Sequence, residues 1–338
     1  MKTRKLCLIV VFSALFIVLI VPGLMAQKQI LLGYAGWYLA DPFQAALERE
    51  TLRNADEYGV KYLQPTDSRA DAAKQFTDIQ TLIGQGANVI ITMPADTKAI
   101  IPAIKYANSK NVSIVTIDMA PDGMSAYMTV RADNVKMGEI AAEWVGKTLK
   151  GKGKVLDLQG ELTNSNGRDR TNGFEKYMAA HYPGIVVVGR PTKWQTELAA
   201  NAAQTVLSTD PNINAVFMQS DAIHLAAVLN VLKSLNKAAK VGEPGHIYLI
   251  SIDASPFALD KIRSGELDAS VSQPLDLYCK YGVKYAIDAV NGVKHSPGPT
   301  DHDSKIAFTL GALQDLLSSP LVTADNVDDS NLWGNMVK

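Results

Sequence analysis

Short, strongly apolar runs alternate along the chain with longer stretches in which apolar residues recur every three or four positions. Residues 88–92 and 112–117 are rich in Ile and Val, which favours buried strands. Between such runs, residues 69–83 place Phe76 and Ile79 on one face of a helix. The pattern therefore predicts a series of βαβ units.

The predicted strands share a high apolar content and cover residues 30–34, 60–63, 88–92, 112–117, 154–158, 185–189, 213–218, 247–252 and 268–272. The predicted helices share an amphipathic pattern and cover residues 69–83, 135–150, 173–181, 195–208, 222–235, 256–264 and 275–291. The alternation restarts once, after a segment at 128–134. This restart predicts an α/β fold of two similar, doubly wound parallel-sheet lobes.

No Gly/Ser-rich or Pro-rich linker separates the two predicted lobes. A boundary without a linker indicates lobes joined by several strand-like crossings, which form a hinge rather than a tether. We expect three crossings, near Arg131, Gln273 and Ser304. The predicted lobes are then residues 27–131 plus 274–304, and residues 132–273 plus 305–338.

The first 26 residues have the features of a secretory signal peptide. Three basic residues precede an apolar run at 6–21, and Pro22 and Ala26 follow it. The run is shorter than the roughly 20 apolar residues that a membrane span needs. Cleavage would leave Cys279 as the single cysteine, so an internal disulfide is excluded. We expect a periplasmic protein, secreted across the inner membrane.

The remaining 312 of the 338 residues carry 30 basic and 34 acidic side chains, because the signal segment removes three of the 33 basic residues and no acid. The basic residues are scattered along the chain. Nucleic-acid binding needs a clustered basic surface, so no nucleic-acid partner is predicted.

For the oligomeric state, we expect a monomer.

Aromatic and acidic residues follow the first predicted strand, at Trp37, Tyr38, Asp41 and Phe43. Aromatic faces pack against C–H groups, and a carboxylate accepts hydrogen bonds from hydroxyls, so this loop suits a sugar. An equally supported alternative is that Asp41 caps the next helix, with Pro42 at its first position, while Phe43 belongs to the core.

Acids and amides also end the other strands, at Asp118, Ser220, Asp221, Asp253 and Gln273. Asp118 and Asp253 precede no immediate helix, which favours a ligand-facing role over capping. Asp221 fits helix capping first and ligand contact second. Trp194 lies in a strand-to-helix loop, where it is either a stacking wall of a site or part of the core.

Two arginines, Arg168 and Arg170, stand in the segment at 164–174, where a strand passes into a helix. Open α/β sheets bind small ligands at this edge, and a guanidinium can bridge two neighbouring ligand oxygens. We therefore assign Arg170 to a ligand site. Arg131, on the first crossing, is either a further donor to the ligand or a hinge arginine paired with an acid.

The order of these motifs resembles that of the periplasmic sugar-binding proteins of ABC transporters, in particular the ribose-binding type I family. The matching segments are Asp41-Pro-Phe-Gln44 for the family's Asn-Pro-Phe-Phe, Asp118-Met119 for Asp-Arg, Arg168 to Phe174 for Arg-x-Arg-x-x-Gly-Phe, Gln219-Ser-Asp221 for Gln-Asn-Asp, Ile252-Asp-Ala254 for Phe-Asp-Gly, and Gln273 for the crossing glutamine. The resemblance implies a two-lobe protein that closes on a monosaccharide or polyol and delivers it to a membrane permease. Gln44 and Met119 replace a ring and an arginine, which puts D-ribose itself in doubt.

Catalytic signatures are absent from the sequence. No Gly-x-Gly-x-x-Gly follows the first strand, no Gly-x-Ser-x-Gly elbow occurs, and the five histidines lack metal-ligand spacing. We therefore expect neither catalytic residues, nor a cofactor, nor a metal. Two alternatives stay open: a receptor for a furanose-like signal molecule, and a periplasmic sugar-modifying enzyme that uses two opposed carboxylates.

Overall fold

The computed structural model describes residues 29–124 and 126–336. The predicted signal peptide, residues 1–26, lies outside this range. Among the described residues, no helix is long and apolar enough to span a bilayer.

In chain order, the described strands are β1 (Leu31–Gly36), β2 (Lys61–Tyr62), β3 (Thr66–Asp67), β4 (Val89–Thr92), β5 (Ser113–Ile117), β6 (Met128–Ala132), β7 (Gly153–Gln159), β8 (Ile185–Pro191), β9 (Ala215–Met218), β10 (Tyr248–Asp253), β11 (Ala269–Ser272), β12 (Gly298–Pro299), β13 (Lys305–Thr309), β14 (Ala312–Leu317) and β15 (Leu321–Val322). The helices are α1 (Pro42–Glu57), α2 (Ala72–Gly84), α3 (Ile101–Ser109), α4 (Asn134–Thr148), α5 (Ser165–His181), α6 (Thr196–Thr209), α7 (Asp221–Ser234), α8 (Pro256–Arg263), α9 (Leu275–Asn291) and α10 (Trp333–Met336).

The described strands form two sheets, and each sheet is the centre of one lobe. The first sheet has the order β12-β13-β14-β6-β5-β4-β1-β2, with β3 also paired to β1. The second has the order β15-β11-β10-β9-β7-β8. Pairing is parallel except at the β12-β13-β14 edge and between β11 and β15. The predicted α/β architecture with two parallel-sheet lobes is confirmed.

The described chain passes between the two sheets at three places. The first lies between β6 and α4, and the second lies between β11 and α9, which packs on the first sheet. Arg131 lies in β6 next to the first crossing, and Gln273 follows β11 at the second. The third lies at residues 318–320, not near Ser304, because β13 and β14 pair with each other and β14 pairs with β6. Residues 305–317 therefore belong to the first sheet, not to the second lobe as the sequence suggested.

A buried tyrosine joins two of these crossings. The hydroxyl of Tyr278 accepts a hydrogen bond from the backbone N–H of Ala132 at 3.0 Å and donates to Oε1 of Gln273 at 2.7 Å. Ala132 ends β6 and Gln273 follows β11. Since an unpaired buried hydroxyl is costly, this arrangement holds the first two crossings against each other.

Helix α5 begins at Ser165, eight residues before the predicted start. Asn164 caps it by accepting from the backbone N–H of Gly167 at 2.9 Å. Helices α4 and α5 pack closely: a Cβ at Gly138 would overlap the backbone carbonyl of Arg170. This close approach fixes the position of the first turns of α5, and therefore of the Arg170 side chain.

Candidate functional site

A cavity of about 340 Å³ opens between the two lobes at the carboxyl ends of their strands. Nine of the twelve predicted site residues line it: Trp37, Asp41, Phe43, Asp118, Arg170, Trp194, Ser220, Asp253 and Gln273. A cavity of this size at this edge of parallel sheets is typical of a small-molecule site.

Aromatic side chains from both lobes form the apolar walls of the cavity. The rings of Phe43 and Trp333 meet edge to face, with centroids 5.2 Å apart at 79°. Elsewhere in the lining, Trp194 stacks on His224 with ring centroids 6.3 Å apart, and the guanidinium of Arg170 lies 5.7 Å from the Trp194 ring. Burial lowers the pKa of His224 to about 3, so Trp194 stacks on a neutral ring.

Asp118 projects into the cavity from the end of β5. Its backbone has a φ of +61°, a conformation that costs a non-glycine residue about 1–3 kcal/mol. Nδ2 of Asn166, on α5, donates to its carboxylate at 3.3 Å, which is a contact between the two lobes. Burial raises the pKa of Asp118, while Arg170 and Arg131 oppose this shift.

Asp253 occupies the corresponding position at the end of β10, with a φ of +117°. Ser220 Oγ donates to it at 2.6 Å, and Nε2 of Gln273 donates at 2.9 Å. Burial raises its pKa, Arg170 lowers it, and the Asp41 carboxylate raises it. Asp41 of the first lobe and Asp253 of the second thus line the same cavity.

Arg170 is the buried cation of this site. Its Nε donates to Oδ1 of Asn134 at 2.7 Å, and Nη1 donates to the backbone carbonyl of Gln219 at 2.5 Å. Nη1 also lies 3.7 Å from Asp253 Oδ1. Within the described residues these hydrogen bonds use Nε and Nη1, which leaves Nη2 available to a ligand oxygen.

Asp41 caps α1 by accepting from the backbone N–H of Gln44 at 3.0 Å, and it also lines the cavity, so capping does not remove it from the candidate site. The Gln44 side chain is buried beside it, with Nε2 2.6 Å from the sulfur of Met93. Among the described residues, Gln44 Oε1 has no hydrogen-bond partner. This oxygen is therefore a buried acceptor without a partner, in a residue that lines the cavity.

Three predicted site residues lie outside the cavity lining. Tyr38 is 42% exposed. Arg131 is buried, and its Nη2 binds Asp169 at 3.0 Å and Asn166 Oδ1 at 2.9 Å, so it links β6 to α5 instead of donating to a ligand. Asp221 accepts from the backbone N–H of Ala254 at 2.8 Å, and burial raises its pKa to about 7.

Sequence reasoning did not assign several residues that line the cavity: Met93, Asp96, Thr97, Glu161, Thr163, Asn164, Asn166, Lys193, Ile223 and Trp333. Asn166 stands in the same segment as Arg170, and that proximity was a usable signal. Trp333 comes from the C-terminal segment, where no motif marks it. Within the described ranges, no group of three or more His, Cys, Asp or Glu side chains is placed to hold a metal ion.

A family model described as periplasmic binding protein domain matches residues 32–294, well over half of the chain. The chain belongs to the periplasmic binding protein family. It is similar to the ribose import binding protein RbsB of Bacillus subtilis (strain 168), with 30% identity over 268 residues, which are 79% of this chain and 84% of that protein. The xylitol-binding protein of Mycolicibacterium smegmatis is 26% identical over 76% of this chain and 67% of its own length.

Solved structures of periplasmic binding proteins share the fold. The Caulobacter myo-inositol binding protein superposes with a TM-score of 0.71 at 24% identity, covering 90% of this chain and 95% of its own. The D-allose-bound solute binding protein of Actinobacillus succinogenes 130z superposes with a TM-score of 0.75 at 19% identity, covering 89% and 99%. The chain is thus a ribose-binding-protein-like, type I periplasmic binding protein, as its motifs suggested.

Proposed function

We propose that this periplasmic binding protein captures a neutral monosaccharide or polyol between its two lobes and delivers it to the permease of an ABC importer. The observation that carries this proposal is the combination of aromatic walls and convergent hydrogen-bonding groups in one cavity, contributed by both lobes. Aromatic faces suit the C–H surface of a sugar, and carboxylates and a guanidinium suit its hydroxyls.

The charge of the lining favours a neutral solute over an anion. Five carboxylates line the cavity against two cations, Arg170 and Lys193. Arg170 already interacts with the Asp118 and Asp253 carboxylates, which oppose any further negative charge in the cavity. Carboxylic acids and sugar phosphates are therefore disfavoured.

The names of the relatives support the same class of solute, since they include ribose import binding proteins and a xylitol-binding protein. The basic and apolar pattern of residues 1–26 supports export to the periplasm. We propose that the protein acts there as a monomer and a transport component, without catalysis.

A thermal-shift screen of sugars, polyols, amino acids and sugar phosphates tests the proposed solute class. At a concentration 100 times its Kd, the solute stabilises the protein by about 2.7 kcal/mol, which raises the melting temperature by several degrees. The largest rise is expected from a neutral carbohydrate or polyol other than D-ribose, because Gln44 and Met119 stand where a ring and an arginine would hold ribose. A strongest response to an amino acid or a sugar phosphate would contradict the proposal, and one to D-ribose would contradict the argument from Gln44 and Met119.

Closure of the lobes on the solute is a separate prediction. Three crossings allow rotation of the lobes but prevent their separation, and a solute that contacts both lobes stabilises the closed arrangement. Small-angle scattering should show a smaller radius of gyration at saturating solute than without it. The control is an equal concentration of a sugar that gives no thermal shift. Identical profiles with and without the bound solute would exclude hinge closure as the capture mechanism.

A further inference from the structure

The C-terminal strap, residues 321–336, supplies part of the cavity wall. It follows the third crossing, begins with β15 and ends in α10. The segment that the family model matches stops at residue 294, so the strap lies beyond it. Trp333 of the strap is nevertheless 2% exposed and lines the cavity. A segment outside the matched family region therefore shapes the candidate site.

Several interactions fix the strap against the second lobe. Val322 of β15 pairs with Ser270 of β11. Arg263, at the end of α8, donates from Nη2 to the backbone carbonyl of Val327 at 3.2 Å and to Oδ1 of Asn335 at 2.8 Å. The side chains of Val327 and Leu332 are part of the apolar core of that lobe. The strap is thus packed in place rather than lying loosely on the surface.

The backbone next to Trp333 approaches the end of β10 very closely. A Cβ at Gly334 would overlap the backbone carbonyl oxygen of Ala254. A clash with backbone cannot be relieved by rotating a side chain, so a residue larger than glycine must displace the strap locally. Gly334 is therefore required for the position of the neighbouring indole in the cavity wall.

Trp333 makes two contacts that connect the strap to the ligand-facing groups. Its Nε1 donates to the backbone carbonyl of Asp253 at 2.6 Å, at a residue with a φ of +117°. Its ring packs edge-on against Phe43, which belongs to α1 of the first lobe. Trp333 thus holds the backbone of Asp253, whose carboxylate lines the cavity, and its ring contacts Phe43 of the other lobe.

We propose that Trp333 is a specificity-determining residue that closes one end of the cavity, so that the site takes a single sugar ring or a short open-chain polyol and excludes a disaccharide. This inference rests on the proposed function. The indole cannot withdraw to admit a second ring, because Leu332 and Asn335 on either side of the Trp333–Gly334 pair are held by the core and by Arg263. The size limit is therefore set by the strap and not by the strand-end residues alone.

Isothermal titration calorimetry of the full-length protein with xylitol, myo-inositol, D-allose and maltose tests the inference. Trp333→Ala is expected to weaken binding of the best small solute at least about tenfold, as truncation of a buried tryptophan contact commonly does, and to give maltose measurable affinity. Trp333→Phe retains a ring but loses the N–H donor, so an intermediate loss of about threefold to tenfold is expected with maltose still excluded.

Gly334→Ala moves the indole without changing any side chain of the lining, and it should reduce affinity in the same direction as Trp333→Ala. Gly84→Ala is the matched control, because a Cβ at the end of α2 meets nothing within 4 Å. Melting curves of the solute-free variants show which of them are folded at the titration temperature. If Trp333→Ala is not folded, the Trp333→Phe and Gly334→Ala variants decide the result.

Unchanged affinities and unchanged exclusion of maltose in the folded variants would overturn the role of the strap. If the wild-type protein binds no member of a broad sugar and polyol panel, the proposed function fails and this inference fails with it.

Discussion

Replacing Arg170 by methionine is expected to weaken solute binding by about 2 to 4 kcal/mol, which corresponds to about 30-fold to 1,000-fold in Kd. The substitution removes the buried cation that faces Asp118 and Asp253 and leaves the ligand oxygens without a charge-assisted donor. Methionine keeps most of the side-chain volume, so the loss reflects the charge and its hydrogen bonds more than a cavity. Calorimetry with the strongest solute from the thermal-shift screen measures the effect.

Arg168 provides the matched control for this prediction, because it stands two residues away on the same helix. Its Nη1 donates to the backbone carbonyl of Thr163 at 3.4 Å, and its side chain is outside the cavity lining. Arg168→Met should therefore retain wild-type affinity. Equal affinities for the wild type, Arg168→Met and Arg170→Met would remove Arg170 from the binding site.

Asparagine at Asp253 or Asp118 is expected to weaken solute binding by about 1 to 3 kcal/mol without reducing the stability of the solute-free protein at pH 7. Asparagine keeps the shape but replaces a charged acceptor with a group that is half donor. Burial raises the pKa of both carboxyl groups above the unfolded value of about 4. The stability that these carboxyl groups contribute is then fully present below pH 4 and is lost as the pH rises through the folded-state pKa. Because asparagine does not titrate, each substitution should reduce the loss of folding stability between these pH values.

Asp157→Asn is a control that separates the effect of an Asp-to-Asn change on stability from its effect on solute affinity. It is fully buried on β7 and lies outside the cavity lining, and burial raises its pKa to about 8. Asp157→Asn should therefore flatten the pH dependence of stability while leaving solute affinity unchanged. Denaturant melts between pH 4 and 8, together with calorimetry, test all three variants. A fall in solute-free stability with unchanged affinity would assign Asp253 and Asp118 to the scaffold instead.

The sequence predicted the central parallel strands closely because strands such as β4, β5 and β9 are short apolar runs with buried residues on both faces, and this pattern depends on local composition. Strand β5, for example, covers Ser113–Ile117 against a prediction of 112–117. Within each sheet the carboxyl ends of the parallel strands meet at one edge, and in a two-lobe fold these two edges face the same cleft, so the sequence placed Asp118 of the first lobe and Asp253 of the second at one site. Alternation of strands and helices thus accounts for most of the fold and for the strand-end part of the site.

The remaining features depend on long-range contacts that no local pattern encodes. The hairpin of β13 and β14 joins the first sheet through pairing of β14 with β6, about 185 positions away in the chain, so the third crossing was expected too early. For Arg131 the sequence allowed both a ligand donor and a hinge arginine paired with an acid, because the pairing with Asp169 on α5 is a contact between elements that no local pattern encodes. Trp333 lines the cavity because the strap packs against the second lobe, and no motif in the sequence around Trp333 predicts this packing.

The bridging hydroxyl of Tyr278 has a consequence for how this receptor can change its preference for solutes. Gln273 accepts a hydrogen bond from the Tyr278 hydroxyl at Oε1 and donates one from Nε2 to Asp253, so one amide connects two of the crossings to a carboxylate that lines the cavity. The orientation of the Asp253 carboxylate therefore depends on the same amide that contacts the crossings. If the lobes close on a solute as proposed, we expect substitutions that shift Asp253 to alter the angle between the closed lobes as well as the contacts to the solute.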